Sequence, residues 1–230
     1  MPAEQLPLPV GAAAEVGRLR LPSRIVPMEV SARDAPFDDP DYLFEPWWPG
    51  VRAIVMVERG RLQLQVSGLS DALAAFPELV ELPAQLVEDG VVLDGTLLVL
   101  DDAGRPDAEL LRRRLEGGGR RGRPAYVASD LLWAGGEPVT RRSFRIRRRW
   151  LEAVLEPGDR VTVGRAYVAD GTLVAEALAT LGIDGLSARQ LTARHRSGPA
   201  GLAWFKAPIV PAEPRPRPTL ALILRLPLGE

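Results

Sequence analysis

Phe44-Glu45-Pro46-Trp47-Trp48-Pro49-Gly50-Val51-Arg52-Ala53 opens the segment on which the fold turns. Its last residues lead into Val51–Glu58, a run rich in β-branched and apolar side chains, and Arg61–Val66 follows after Arg59-Gly60. Two strand-like runs joined by a two-residue linker ending in glycine read as a β-hairpin. Working outward, Val91–Leu100 is strongly β-like and stops at the turn Asp101–Gly104. Tyr126–Leu132, Arg160–Val168, Gly185–Arg189 and Leu202–Ala207 are further strand candidates. Helical spacing appears over Asp71–Leu86 (Leu73, Phe76, Leu79, Val80), with Pro77 and Pro83 at its breaks. Asp107–Glu116, Phe144–Leu155 and Thr172–Leu181 read as three more helices. Strands and helices mixed without a strict βαβ alternation predict an α+β domain with antiparallel sheets.

The 230 residues are 46% hydrophobic and 26% charged, enough apolar material for a sizeable core. Residues 1–24, rich in Pro and Ala, read as an irregular lead-in, and residues 25–209 as the main domain. Residues 210–230 read as a Pro-rich arm whose last part, Thr219–Leu228, returns as an edge strand limited by Pro227. The apolar runs are too short to cross a bilayer. Met1–Val10 carries Glu4 and no basic leader, so a soluble cytoplasmic protein without membrane partners is the expectation. Cysteine is absent, which excludes disulfides, thiol nucleophiles and cysteine zinc sites. His195, the one histidine, lies in the polar stretch Thr192–Ser197 and reads as an exposed loop residue.

Of the 29 basic residues, 28 are arginines and Lys206 is the single lysine. Any covalent lysine intermediate must therefore use Lys206. Net charge is −1, yet six arginines fall within Arg112–Arg123 and six within Arg141–Arg149. Such clusters suit phosphate contacts as well as they suit solvated helix faces. Gly117-Gly118-Gly119-Arg120-Arg121-Gly122 fits G-x-G-x-x-G, but it precedes Pro124 instead of joining a strand to a helix. It reads as a loop.

The segment at Phe44–Ala53 resembles the adenylation (nucleotidyltransferase) domain of ATP-dependent DNA ligases, in which a lysine stands at Trp47 and an aspartate at Pro49. The resemblance continues in order along the chain. Ala75-Phe76-Pro77-Glu78-Leu79 matches the segment after the family's Ser-Arg motif and puts Ser67 at that arginine. In Leu93-Asp94-Gly95-Thr96, Thr96 replaces a glutamate that helps hold ribose and metal. Val127–Leu132 resembles the strand whose aromatic stacks on adenine, here Ser129. Arg147-Arg148 resemble a pair of arginines before a Leu-rich helix. Gly182–Arg189 resembles the Glu-Gly motif, softened to Asp184 and Arg189, and Trp204-Phe205-Lys206-Ala207-Pro208 keeps the first lysine of the last motif.

The resemblance implies an ATP-grasp-like nucleotidyltransferase fold: two antiparallel sheets around a cleft on which Trp47, Ser67, Thr96, Ser129, Asp184 and Lys206 converge. It implies ATP and Mg²⁺ as cofactors of the family, a vestigial ATP cleft at Glu45, Arg52, Ser67, Thr96, Ser129 and Lys206, and a weak metal contact at Asp184. No catalytic set is intact, because the indole of Trp47 offers no lone pair for the attack that forms lysyl-AMP. The expectation is thus a pseudo-enzyme that binds neither cofactor tightly, with DNA or a DNA-repair protein as partner and Arg147, Arg148 and Arg149 as nucleic-acid contacts. Two other functions stay open: a weakly active ligase or nucleotidyltransferase using Lys206, and an arginine-mediated nucleic-acid-binding module. Only 24 residues follow Lys206, too few for a five-stranded OB-fold barrel, so none is expected in this chain. At least one of Trp47 and Trp48 is expected to fill part of the cleft as packing; the competing role is an exposed anchor for a partner.

Overall fold

The computed structural model describes residues 20–210 and 216–225. In chain order the elements are β1 (Met28–Glu29), β2 (Ser31–Ala32), β3 (Asp39–Pro46), β4 (Val51–Glu58), β5 (Arg61–Val66), α1 (Ala72–Ala75), a 3₁₀ helix (Pro77–Gln85), β6 (Val91–Leu100), α2 (Ala108–Leu115) and β7 (Arg123–Ala134). Then come β8 (Glu137–Pro138), α3 (Phe144–Val154), β9 (Val161–Val163), β10 (Tyr167–Ala169), α4 (Gly171–Thr180), β11 (Gly185–Gln190), β12 (Gly198–Pro199), β13 (Trp204–Pro208) and α5 (Leu220–Leu224). No helix among the described residues is long and apolar enough to cross a membrane.

Two large sheets dominate. One runs β5-β4-β6-β7-β8 with β9 added parallel to β7, and the other runs β10-β3-β11-β13-β2. Their central pairings are antiparallel, while β2 joins β13 in parallel. The β4–β5 hairpin pairs Glu58 with Arg61, and Arg59 and Gly60 both take positive φ (53° and 69°). That is the turn whose twist matches the strands it joins, and glycine at its second position carries no Cβ penalty.

Side-chain alternation then sorts the six-stranded sheet into two faces. One buries Val55, Val57, Leu93 and Leu97 against Phe76, which joins α1 to the 3₁₀ helix, Leu79 and Leu82 of that helix, and Leu151 and Val154 of α3. A second core packs Phe44, Leu186, Ala188 and Phe205 of the five-stranded sheet on Val174 and Leu178 of α4. It continues through Trp48 to Leu98, Leu100 and Ala125.

Several expectations need correction. Asp71–Leu86 is not one helix: Asp71 caps the four-residue α1, and Pro77 and Pro83 leave the rest as 3₁₀. Arg160–Val168 splits into β9 and β10, which join different sheets. Over its described part, residues 219–225, the expected edge strand Thr219–Leu228 is a short helix instead. Thr219 caps α5, accepting from the Leu222 N–H, and Leu220 and Ile223 are buried. The lead-in at residues 1–19 and residues 211–215 and 226–230 of the arm lie outside the described residues.

Arginines are built into this core. On α3, Arg147 and Arg148 fall three and four residues after Phe144 and so share its inward face. Arg147 donates from Nε and Nη2 to the two carboxylate oxygens of Asp130, both at 2.8 Å. Arg148 donates to Glu45 at 2.6 Å and to Glu152 at 2.9 Å. Both are buried and committed to internal partners, which corrects their reading as nucleic-acid contacts; Arg149 alone of the three is exposed. Arg114 of the other cluster is buried as well, donating to Glu78 and to the carbonyls of Arg120 and Gly122.

Burial alone would raise the pKa of Asp130, but the charge and hydrogen bonds of Arg147, with Arg189 behind them, hold it below the ordinary value. Arg147→Ala leaves the buried Asp130 carboxylate with only the longer 3.3 Å contact from Arg189 and should cost about 3–5 kcal/mol at neutral pH. Because the folded pKa is depressed, the contribution of Asp130 is complete above its unfolded value of about 4 and fades as pH falls below it. Urea denaturation at a series of pH values checks both points: Asp130→Asn should have a shallower loss of stability below about pH 4 than the parent chain.

Candidate functional site

A cavity of about 210 Å³ lies between the two sheets. Arg52 of β4, Asp94 and Thr96 of β6 and Ser129 of β7 approach from the six-stranded sheet; Glu45, Ser187, Arg189 and Trp204 approach from the other. Alternation puts each set on one face, since Arg52 pairs in register with Thr96, and Ser187 with both Glu45 and Lys206. The β6–β7 ladder shifts register between Asp94 and Gly95, where Asp94 opposes Asp130 and Gly95 opposes Ala128. Ser129 is the extra residue of this bulge, which turns its hydroxyl toward the cavity.

The charges around the cavity are paired with one another. Arg52 embraces Asp94 through Nε, at 2.8 Å, and Nη2, and its Nη1 donates to the Met28 carbonyl. Burial works against the Arg52 cation, yet the Asp94 carboxylate outweighs it and raises the pKa. Arg189 donates to Asp130 at 3.3 Å and to the Ser129 hydroxyl at 3.0 Å, and burial pulls its own pKa down. The Ser129 hydroxyl donates to the Asp94 carbonyl at 3.3 Å.

Aromatic rings complete the walls. The Trp204 indole donates to Ser187 at 3.0 Å and carries two guanidinium groups on its ring, Arg189 at 4.0 Å and Arg52 at 4.7 Å from the centroid. Trp47 lies 6.1 Å from Trp204, ring to ring, and the Lys206 ammonium sits 4.7 Å above the Trp47 ring. Gly185 permits this arrangement, because a Cβ there would come within 2.8 Å of the Trp47 Cβ. Trp47 is half-buried. Trp48, only 7% exposed, enters the second core, and its indole N–H has no hydrogen-bond partner among the described residues.

The structure brings Glu45, Trp47, Arg52, Thr96 and Ser129 to one cavity, with Lys206 over the Trp47 ring. It does not bring Ser67 or Asp184 there. Ser67 is exposed in the loop after β5 and lines a separate open groove that shares Arg52. Asp184 is exposed and lines a narrow crevice beside Trp47–Pro49 together with Arg217 and Pro218. Among the described residues no three His, Cys, Asp or Glu side chains are grouped as a metal would need. His195 is half-buried instead of exposed, and burial lowers its pKa. The role of Asp130 and Trp204 escaped sequence reasoning. Their signal was a carboxylate next to the apolar run of β7, and an aromatic two residues from Lys206 on the same strand face.

Comparison with known proteins agrees with this geometry. The ATP dependent DNA ligase domain model matches residues 30–207. The multifunctional non-homologous end joining DNA repair protein LigD of Mycobacterium tuberculosis is 30% identical over 165 residues, covering 72% of this chain and 21% of that protein. The probable DNA ligase of Anaeromyxobacter sp. is 31% identical over 167 residues, 68% of this chain and 32% of that protein. The chain thus spans between a fifth and a third of the length of these relatives. Among solved structures, mycobacterial DNA ligase D complexed with ATP and MES superposes with a TM-score of 0.69 at 26% identity, covering 80% of this chain and 60% of that one. The ligase domain of LigD from M. tuberculosis gives 0.68 at 27% identity, with 79% and 58% covered. With its nucleotidyltransferase sheets, interposed cavity and ordered motifs, the chain belongs to the ATP-dependent DNA ligase domain family.

Proposed function

We propose that this chain is a ligase-type adenylation domain kept as a binding or regulatory module in DNA repair, without the adenylation reaction. The observation that carries the reading is position 47. The family pattern places the nucleophilic lysine there, and this chain has an indole with its single lysine amine resting on the ring. Loss of a covalent nucleophile costs about a million-fold in turnover. The surroundings favour the same reading. Arg52 pairs with Asp94 and Arg189 with Asp130, which Arg147 also holds, so most of the charge at the cavity is committed internally, although the Arg189 Nε has no partner among the described residues. The cavity, about 210 Å³, is below the roughly 300–1,000 Å³ usual for small-molecule sites. Mg²⁺ fits poorly, because Asp94 is held by Arg52 and Asp184 stands outside the cavity.

Mass spectrometry of the full chain incubated with ATP and Mg²⁺ tests the chemistry. No added AMP is expected; an acid-labile AMP adduct on Lys206 would show a relocated nucleophile and a working enzyme.

The tryptophans divide the two roles considered for them. Trp48→Ala should destabilise by about 3–5 kcal/mol, as for a buried aromatic. Trp47→Ala, half-exposed, should cost about 1–2 kcal/mol. Chemical denaturation compares them, and equal midpoints for both variants would count against this division.

DNA is the partner class that family membership favours. Arg145 and Arg149 are exposed and one turn apart on α3. If they contact phosphates, changing both to Ala should reduce the slope of log K against log salt for duplex DNA by about 2. An unchanged slope would assign them to solvent.

A further inference from the structure

Two arginine-bearing loops meet at the start of α3. The 139–143 turn carries Arg141 and Arg142, the 191–197 loop carries Arg194 and Arg196, and all four side chains are exposed. Backbone hydrogen bonds join the loops. The His195 N–H donates to the Thr140 carbonyl at 3.0 Å, and the Arg145 N–H to that of Leu191 at 2.9 Å. Arg147 ties them from beneath, its Nη1 donating to the carbonyls of Arg142 at 2.6 Å and Ala193 at 3.1 Å.

The fold gathers these four charges without neutralising them. Among the described residues none of the four is in an ion pair. The exposed Arg112 and Arg113 of α2, by contrast, are paired along their own helix with Glu109 and Glu116. The start of α3 strengthens the positive field. A helix N-terminus is the positive end of the macrodipole and favours acidic side chains. The first turn of α3 has none, and Ser143 makes no side-chain cap bond. Like charges collected beside a like-signed helix end repel one another in the free protein, and an anionic partner relieves that repulsion on binding.

Beside the loops lies an open groove of about 390 Å³, lined by Arg194 and Arg196 and also by Met28, Ala200, Leu202 and Ala203. Leu202 is 68% exposed. Positive charge and an uncovered aliphatic side chain are thus offered together. A phosphodiester backbone has little apolar surface to set against Leu202. A duplex would also run well beyond four arginines, over a chain whose net charge is −1. A short acidic segment that carries an apolar side chain matches both features and stays within the patch.

We propose that the two loops form a docking surface for an acidic segment of a partner protein. Its carboxylates are taken by Arg141, Arg142, Arg194 and Arg196, and an aliphatic side chain rests on Leu202. The proposal rests on the reading of the chain as a binding module. That reading fails on an AMP adduct and this one on peptide affinity, so the two can fail separately.

A fluorescein-labelled peptide alternating Glu-Asp pairs with Leu is titrated against the full chain at low salt, with binding read by anisotropy. The parent should bind it, and should not bind the same peptide with Gln and Asn in place of its acids. Arg194→Glu/Arg196→Glu and, separately, Arg141→Glu/Arg142→Glu should each weaken binding about ten-fold or more. Leu202→Ser should weaken it about three-fold or more. Arg112→Ala/Arg113→Ala, on the paired face of α2, should leave it unchanged. A parent that does not bind the acidic peptide, or binds both peptides equally, overturns the proposal. So does full binding by either loop variant or by Leu202→Ser. Duplex DNA that displaces the peptide and binds with the lower Kd would make the surface one for nucleic acid. A parent dimer that Arg194→Glu/Arg196→Glu dissociates would make it one for a second copy. Either result ends the idea. Where a charge-reversed variant does not fold, Arg194→Gln/Arg196→Gln takes its place, with a loss of about three-fold or more expected and an unchanged Kd overturning the proposal.

Discussion

Asp94 and Asp130 face each other across the β6–β7 ladder, both almost wholly buried. Like charges directly opposite in a sheet are destabilising, and a buried carboxylate without a partner costs several kcal/mol. The fold meets this with three guanidinium groups drawn from three elements: Arg52 of β4 takes Asp94, while Arg147 of α3 and Arg189 of β11 take Asp130. Because α3 packs on β7 and β11 belongs to the second sheet, neutralising one carboxylate also ties a helix and the second sheet to the first. Arg148 repeats the device one residue later, holding Glu45 of β3 and the Gly164 carbonyl. A planar fork with several donors can serve two partners at once, which a lysine ammonium does less well.

The state of the cavity follows from that arrangement. Arg52 and Arg189 each donate to a carboxylate and also lie over the Trp204 ring, so both modes of guanidinium recognition are drawn on internally. Lys206 spends its charge on the face of Trp47 in the same way. The polar groups of the cleft are therefore organised toward one another more than toward a ligand. A nucleotide entering there would have to compete with contacts that also hold the sheets together.

How much of this was legible depended on whether local chemistry or tertiary pairing decided the outcome. Arg59-Gly60, the β-branched run of β4 and the Asp107 cap of α2 are local signals, and the structure follows them. Pro83 was a local signal too, but its effect on the whole of Asp71–Leu86 depended on how the 3₁₀ segment packs Leu79 and Leu82. Thr219–Leu228 looked β-like by composition, yet a capping Thr219 and two buried side chains three residues apart, Leu220 and Ile223, packed in the second core, go with a helix over Leu220–Leu224. The arginines were the least legible. A run such as Arg145 to Arg149 reads as a basic face unless helical period is applied within it, and only the carboxylates of distant strands explain why Arg147 and Arg148 point inward.

The same division explains how a ligase domain can keep its fold while its chemistry lapses, on the reading proposed above. Of the positions that depart from the family pattern, Trp47, Ser67, Thr96, Ser129 and Asp184 are exposed or half-buried and lie outside the buried cores, while Arg189 is buried and paired with Asp130. Among the positions that match it, the retained Lys206 is exposed, whereas Phe44, Glu45, Asp94 and Arg147 are buried and carry packing or ion pairs. Changing one of these leaves a cavity or an unpaired charge worth several kcal/mol, a large share of the stability of a domain this size. Selection for folding alone is therefore enough to hold the second set in place, and catalysis is not needed to account for it. A binding role asks no more of this chain than the buried set provides, together with an outer surface free to change.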